Sequence, residues 1–145
     1  MNIFGEKLEG VTYNLRPGAY AIILENGKTA AVKTSTGYFL PGGGIEENEN
    51  YEECLKRECL EEIGFKINVL DFVGRAKKYF YSTTRLEYMV SDGYFYFAEL
   101  IGEQQKPTEE DHELVWIRRN EAKDLFFLEH QAWAVEKAFE VNFKF

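Results

Sequence analysis

Within residues 43–65, one short run of chain gathers Arg57, Glu58, Glu61 and Glu62. At helical spacing Glu58 meets both Glu61 and Glu62, while Arg57 sits four residues before Glu61, so the four make one band. Three carboxylates this close repel one another unless something positive joins them. Hard oxygen donors in a cluster suit Mg²⁺ or Mn²⁺. A solvated helix face presents the same acidic pattern, so the band alone does not decide the matter. Its surroundings say more. Gly42, Gly43 and Gly44 lay a bare backbone beside the helix, with free amides and a carbonyl next to the carboxylates. Glu49 stands eight residues before Arg57, where a returning loop can join the two.

The band needs a helix to hold it. Cys54, Leu55, Cys59 and Leu60, with Tyr51 and Ile63, recur at three- and four-residue spacing, which predicts a helix over residues 50–63 ended by Gly64. Upstream, residues 18–24 form a buried strand, Glu25-Asn26-Gly27 a turn, and residues 30–34 the return strand. After a turn at Gly37, residues 38–40 are extended and residues 41–44 are expected to lie outside regular structure. Downstream, residues 67–73, 79–81, 88–100 and 114–117 read as separate strands, with a polar loop over 103–111. Helices are predicted over 121–125 and from 130 to about 141, with Trp133, Ala134, Lys137 and Ala138 near one face. This order gives an α/β (α+β) class: a central mixed sheet covered by helices on both faces, in one domain over 1–145.

Composition narrows the partners. With 145 residues the chain is long enough to bury a core without staples, and its 12 Phe and 9 Tyr mean that rings must build much of it. A formal charge of −8 repels a polyanion, which argues against long DNA or RNA. A small phosphate compound can still be held if cations stand between it and the carboxylates. The first residues lack the basic and apolar regions of a secretory signal, and no apolar stretch is long enough for a membrane span. Cys54 and Cys59, five apart, fit neither a zinc spacing nor a disulfide framework, so a cytoplasmic setting is expected.

Gly43, five residues, Glu49, seven residues, then Arg57-Glu58-Cys59-Leu60-Glu61-Glu62-Ile63-Gly64-Phe65 resembles the box of the Nudix (MutT-type) hydrolases at every fixed position. Residues 38–43 are similar to that family's entry strand. Cys59 stands where the family has a larger aliphatic residue, and Asn48 where a glycine commonly precedes the glutamate. The small apolar Cys59 still packs. The resemblance implies a Nudix α/β/α sandwich with a central mixed sheet. It implies Glu58 and Glu62 as main ligands of Mg²⁺ or Mn²⁺, Glu61 sharing the metal or assisting water activation, and the Gly42 carbonyl as a further ligand. Arg57 would hold the carboxylates of Glu49 and Glu61 in place. The implied reaction is hydrolysis of a nucleoside-diphosphate linkage by metal-activated water. The substrate class is a nucleoside triphosphate, oxidised or not, or else a dinucleoside polyphosphate. A nucleotide-sensing module without turnover typically loses box glutamates, and none is lost here. An isomerase on the same fold fits the short chain less well.

Other residues are open to two readings. Glu109, Glu110 and Glu113 are candidates for a general base outside the box, or members of a solvated loop. His112 and His130 suit phosphate binding or proton transfer, or are plain surface groups. Arg16 and Arg85 are the candidates for substrate phosphates, with Arg75, Lys77 and Lys78 expected to be solvated. Among Tyr79, Phe80, Tyr81, Tyr88, Tyr94 and Tyr96, alternation assigns half to the core, while any could stack a purine. Tyr81 lies 16 residues past the box, near the place of a tyrosine in the diadenosine-polyphosphate branch. No proline occurs between Pro41 and Pro107, so the proline that marks many ADP-ribose hydrolases is absent. A monomer or a homodimer is equally open.

Overall fold

Tyr20 and Ile22 belong to one apolar cluster and Ala19, Ala21 and Ile23 to another, so the chain here is covered on both faces. Such a strand must lie inside a sheet with layers above and below it. The computed structural model describes residues 1–141. Strand β2 (Asn14–Ile22) runs parallel to β8 (Glu87–Ile101) on one side and antiparallel to β6 (Gly42–Gly44) on the other. β8 pairs antiparallel with β7 (Lys66–Ser82), and β1 (Asn2–Phe4) adds parallel to β7. The order β1-β7-β8-β2-β6 is the central mixed sheet.

A second, four-stranded sheet is built on β4 (Lys28–Lys33), which pairs antiparallel with β3 (Leu24–Glu25), β5 (Tyr38–Phe39) and β9 (Glu113–Arg118). The expected turn is present, with Asn26 and Gly27 at φ of 52° and 75°. β4 is nevertheless not the return partner of β2. The chain breaks at Ile23, and only the two residues of β3 pair back onto β4.

Three helices complete the chain: α1 (Tyr51–Ile63), α2 (Arg119–Leu125) and α3 (Glu129–Val141). Asn50 and Glu53 form a capping box that starts α1, and Gly64 ends it in the left-handed conformation. Cys54, Leu55, Cys59 and Ile63 of α1 pack with Ala19, Ala21 and Ala98. Ala134, Val135, Ala138 and Phe139 of α3 pack with Ile22, Val73, Ala76 and Phe95. Because these partners alternate along β2 and β8, the two helices cover opposite faces. Leu60 and Tyr51 lie outside the buried stripe expected to include them, and Tyr51 instead stacks on Tyr96 at 4.2 Å.

Three sequence expectations change. Residues 42–44 are a strand, not an irregular loop, because glycine lets the backbone close on β2. At Gly42, φ is +143° and a β-carbon would stand 2.2 Å from the Ala19 carbonyl oxygen. Residues 66–82 form one long strand, whose register shifts between Val69, Phe72 and Gly74 break the alternation that would have revealed it. β1 was not foreseen, since three residues carry no readable period.

The end of α1 is fixed by the polar loop that follows β8. Gly64 accepts from the Gln105 amide at 2.7 Å, and a β-carbon on Gly64 would lie 1.9 Å from the Gln105 carbonyl oxygen at φ +72°. Gly64→Ala is therefore expected to destabilise the protein by more than about 1 kcal/mol. Denaturant unfolding checks this; an unchanged midpoint would contradict the strain at this cap.

Candidate active site

Arg57 projects from the middle of α1 toward the chain that enters the helix. Its Nε and Nη2 donate to the two carboxylate oxygens of Glu49 at 3.0 and 2.7 Å, a forked pair. Nη1 donates to Glu58 at 2.9 Å and stands 3.5 Å from both Glu61 and Glu46. Nη2 also reaches the Gly44 carbonyl at 3.3 Å. The Arg57 hydrogen bonds, with a backbone bond from Glu46, pull the Glu49 carboxyl down to about 2.

Glu62 lies beyond this guanidinium and is only 8% exposed. Its Oε1 accepts from the Gly42 amide at 2.8 Å, and Oε2 stands 3.4 Å from His112 Nδ1. Burial pushes its carboxyl up to about 8, with the charges of Glu58, Glu109 and Glu61 adding to the rise and the Gly42 bond opposing it. Burial also raises Glu58, against the pull of Arg57. Gly43 lies so close that a β-carbon there would be 2.8 Å from a Glu58 oxygen.

These residues fit a divalent cation. They offer hard oxygen donors in a partly closed site, and the ionised carboxylates lack matching positive charge. Among the described residues, no three acidic, histidine or cysteine side chains already converge in ligating geometry. Glu58 accepts from Arg57 and Glu62 from Gly42 through one oxygen each, which leaves the second oxygen of each without a hydrogen bond among the described residues.

The other candidates divide. Arg16 lies by the glycine strand, its Nη2 3.4 Å from where a Gly44 β-carbon would be. Arg85 is exposed in the turn between β7 and β8 and is tied to Ser82. Tyr81 packs edge-on against Tyr88 at that same end of the sheet, past the level of Asn14, whereas the glycine strand pairs with residues 18–20. Tyr79 and Tyr96 are engaged with Tyr13 and Tyr51. Two cations expected to be solvated are paired: Arg75 forks onto buried Asp92 at 2.8 and 2.7 Å, and Lys78 meets Glu129.

Glu110 and Glu113 are exposed, Glu113 as the first residue of β9, but the loop that precedes it is docked rather than free. The amides of Thr108 and Glu109 donate to the Glu61 carbonyl at 3.0 and 3.2 Å, which brings Glu109 toward Glu62. The same loop delivers His112. His130 is not a surface group: it is 0% exposed in the core, with Nε2 3.1 Å from Ser91 Oγ and its ring edge-on to Phe95. Burial, helped by Lys78, lowers it to about 4, so it is neutral at pH 7.

A cavity of about 410 Å³ is lined by Gly42, Gly43, Glu62 and His112, together with Tyr20, Phe39, Leu40, Leu128 and Gln131. Tyr20 and Gln131 were not singled out from the sequence. Gln131 left a signal, since it is a polar residue at the 131, 134, 135, 138 spacing of the buried face of α3.

A family model described as NUDIX domain matches residues 14–139. Nudix hydrolase 18, mitochondrial, of Arabidopsis thaliana is 27% identical over 141 residues, 90% of this chain and 72% of that protein. The 8-oxo-dGTP diphosphatase of Buchnera aphidicola subsp. Schizaphis graminum is 46% identical over 50 residues, 34% of this chain and 38% of that one. Of solved structures, a NUDIX hydrolase from Nitrosomonas europaea superposes with a TM-score of 0.74 at 13% identity, covering 88% of this chain and 90% of its own. A MutT NUDIX hydrolase from Burkholderia pseudomallei does so at 0.66 and 24%, covering 86% and 98%. At these identities the solved structures show a shared fold.

Glu49 and Glu62 give the metal-free protein opposite pH dependences. The stability from Glu49, whose carboxyl is depressed, is complete above its ordinary pKa of 4.5 and is lost as pH falls toward 2. Glu62, whose carboxyl is raised, contributes fully below pH 4.5, and that contribution is lost as pH climbs to about 8. In the presence of a chelator, Glu62→Gln is therefore expected to melt several degrees above the unmodified protein at pH 8 and near it at pH 5. Parallel melting curves across that range would contradict the burial argument.

Proposed function

The chain belongs to the NUDIX family of hydrolases, and from that premise we propose that it is a Mg²⁺- or Mn²⁺-dependent nucleotide pyrophosphohydrolase. The proposed substrate is a nucleoside triphosphate, oxidised or not, attacked by water at a phosphorus of the anhydride. One observation carries this reading: buried Glu62, with no guanidinium or ammonium paired to it among the described residues, lines a cavity beside a glycine strand, next to the half-buried Glu58 that Arg57 holds.

Glu58, Glu62 and the Gly42 carbonyl would hold the cation, with Glu61 sharing it or orienting the attacking water. When bound, the cation supplies the charge that polarises phosphoryl oxygens and stabilises the leaving phosphate. Arg57 keeps Glu49, Glu58 and Glu61 at fixed spacing, and Arg16 is placed to meet a phosphate beside Gly44. Glu109 and His112, brought to Glu62 by the docked loop, are the groups from outside α1 best placed to handle a proton. The partial likeness to an 8-oxo-dGTP diphosphatase supports a triphosphate. The dinucleoside-polyphosphate alternative leaned on Tyr81, which sits at the far hairpin.

A cytoplasmic setting fits two free, buried thiols, and no helix among the described residues is long and apolar enough to cross a membrane. The expected partner is a small nucleotide, bound by a monomer or a homodimer.

Hydrolysis assays with Mg²⁺ and Mn²⁺ across nucleoside triphosphates, dinucleoside polyphosphates, ADP-ribose and nucleotide sugars test the reading. A nucleoside monophosphate and pyrophosphate are the expected products, and Glu62→Gln should be folded but inactive. Turnover by Glu62→Gln at the unmodified rate would sink the assignment. Arg57→Ala should lower turnover roughly 10–100-fold. Arg57→Lys should not restore it, because an ammonium cannot make the forked pair with Glu49. Full activity in the lysine variant would show that only charge matters.

A further inference from the structure

His112 reaches Glu62 from a loop that is fixed at both ends and clasped between them. Upstream, the Thr108 and Glu109 amides donate to the Glu61 carbonyl of α1. Downstream, Glu113 opens β9 and pairs with Lys33 of β4. Between these anchors Asp111 lays one oxygen on the turn after β4. Its Oδ2 accepts from the Ser35 amide at 3.2 Å and from the Ser35 hydroxyl at 2.9 Å. The two bonds, the amide's first, hold the Asp111 carboxyl below its ordinary range.

The turn that receives Asp111 is closed by its own bonds. Thr34 donates to the Gly37 carbonyl through its amide at 2.9 Å and its hydroxyl at 3.2 Å. Its Oγ1 also accepts from the Thr36 and Gly37 amides at 3.1 and 3.3 Å. Ser35 is therefore a fixed anchor. Both Ser35 and Asp111 are exposed, so no packing would replace the bonds between them.

His112 is the next residue, and its N–H turns back onto the Glu109 carbonyl at 3.2 Å. Its Nδ1 is enclosed, stands 3.4 Å from Glu62 Oε2 and makes no hydrogen bond among the described residues. With no such bond to hold that edge of the ring, its place against Glu62 depends on the backbone that carries it.

We propose that Asp111 is a positioning residue: clasped to Ser35, it sets the His112 ring against the Glu62 carboxylate in the cavity that both line. The proposal rests on the hydrolase reading of the same site, in which His112 handles a proton. Asp111 lines that cavity as well, so a direct contact with substrate is the competing role.

A double-mutant cycle separates the two roles. Asp111→Ala should lower kcat about 10–100-fold, and His112→Ala at least as far. The double variant should be no slower than His112→Ala, because the clasp then has nothing left to position. Asp111→Asn, whose amide oxygen can still accept from Ser35, should keep most of the rate. Hydrogen exchange in chelator-treated protein reads the clasp without turnover. The His112 amide should exchange about tenfold faster or more in Asp111→Ala, with the Thr108 and Glu109 amides unchanged. Additive losses in the cycle, or unchanged exchange at His112, would overturn the proposal. Faster exchange with no loss of kcat would defeat the positioning claim and leave the hydrolase reading intact. Faster exchange in a protein that cleaves no anhydride would defeat the hydrolase reading and leave the clasp standing.

Discussion

One guanidinium serves more negative charge than it can neutralise. Arg57 reaches Glu46, Glu49, Glu58 and Glu61, while Glu62, one residue beyond, has only an amide and a histidine beside it. Carboxylates of one chemical type therefore move in opposite directions: Glu49 falls to about 2 and Glu62 rises to about 8. Position decides this, since Glu49 meets a forked donor while Glu62 is buried without an opposing charge. A divalent cation held by these carboxylates would supply the missing charge. The mechanical support lies in the loop after β8, which ties the last carbonyls of α1 through Gln104, Gln105, Thr108 and Glu109.

The same constraint explains the glycine strand. β6 pairs with β2 on one edge, while Gly42 N–H and Gly44 C=O turn to Glu62 and Arg57. Side chains would separate these partners: a β-carbon would strike the Ala19 carbonyl at Gly42 and the Glu58 carboxylate at Gly43. Gln131 holds the strand's entry from the opposite helix. The approach to the carboxylates is thus strung between two helices that cover opposite faces of the sheet, which couples the acidic site to the cavity beside it.

What could be read in the sequence followed from periodicity and local chemistry. The span and caps of α1 and the Asn26-Gly27 turn are set by neighbours within a few residues, and so was the nearness of Glu49 to Arg57. What escaped depends on contacts between distant segments. Residues 42–44 become a strand only because β2 lies alongside, and bulges near Phe72 hide the unity of β7. His112 reaches Glu62 because its loop docks on α1, and His130 enters the core because α3 crosses Ser91. His130 shares a helical face with Ala134 and Ala138 and so carried a local signal, whereas His112 lies in a loop with no period to read. Gln131 was legible in principle as a polar position on a buried helical face, but its partner, Leu40, lies 91 residues away.

The central claim is that the carboxylates of α1 form a cation site waiting for positive charge. Calorimetric titration of Mn²⁺ into chelator-treated protein tests it most directly. The account predicts one saturable binding event, lost in Glu58→Gln and in Glu62→Gln and retained in Gln131→Met. No binding by the unmodified protein, or undiminished binding by both glutamine variants of α1, would contradict it.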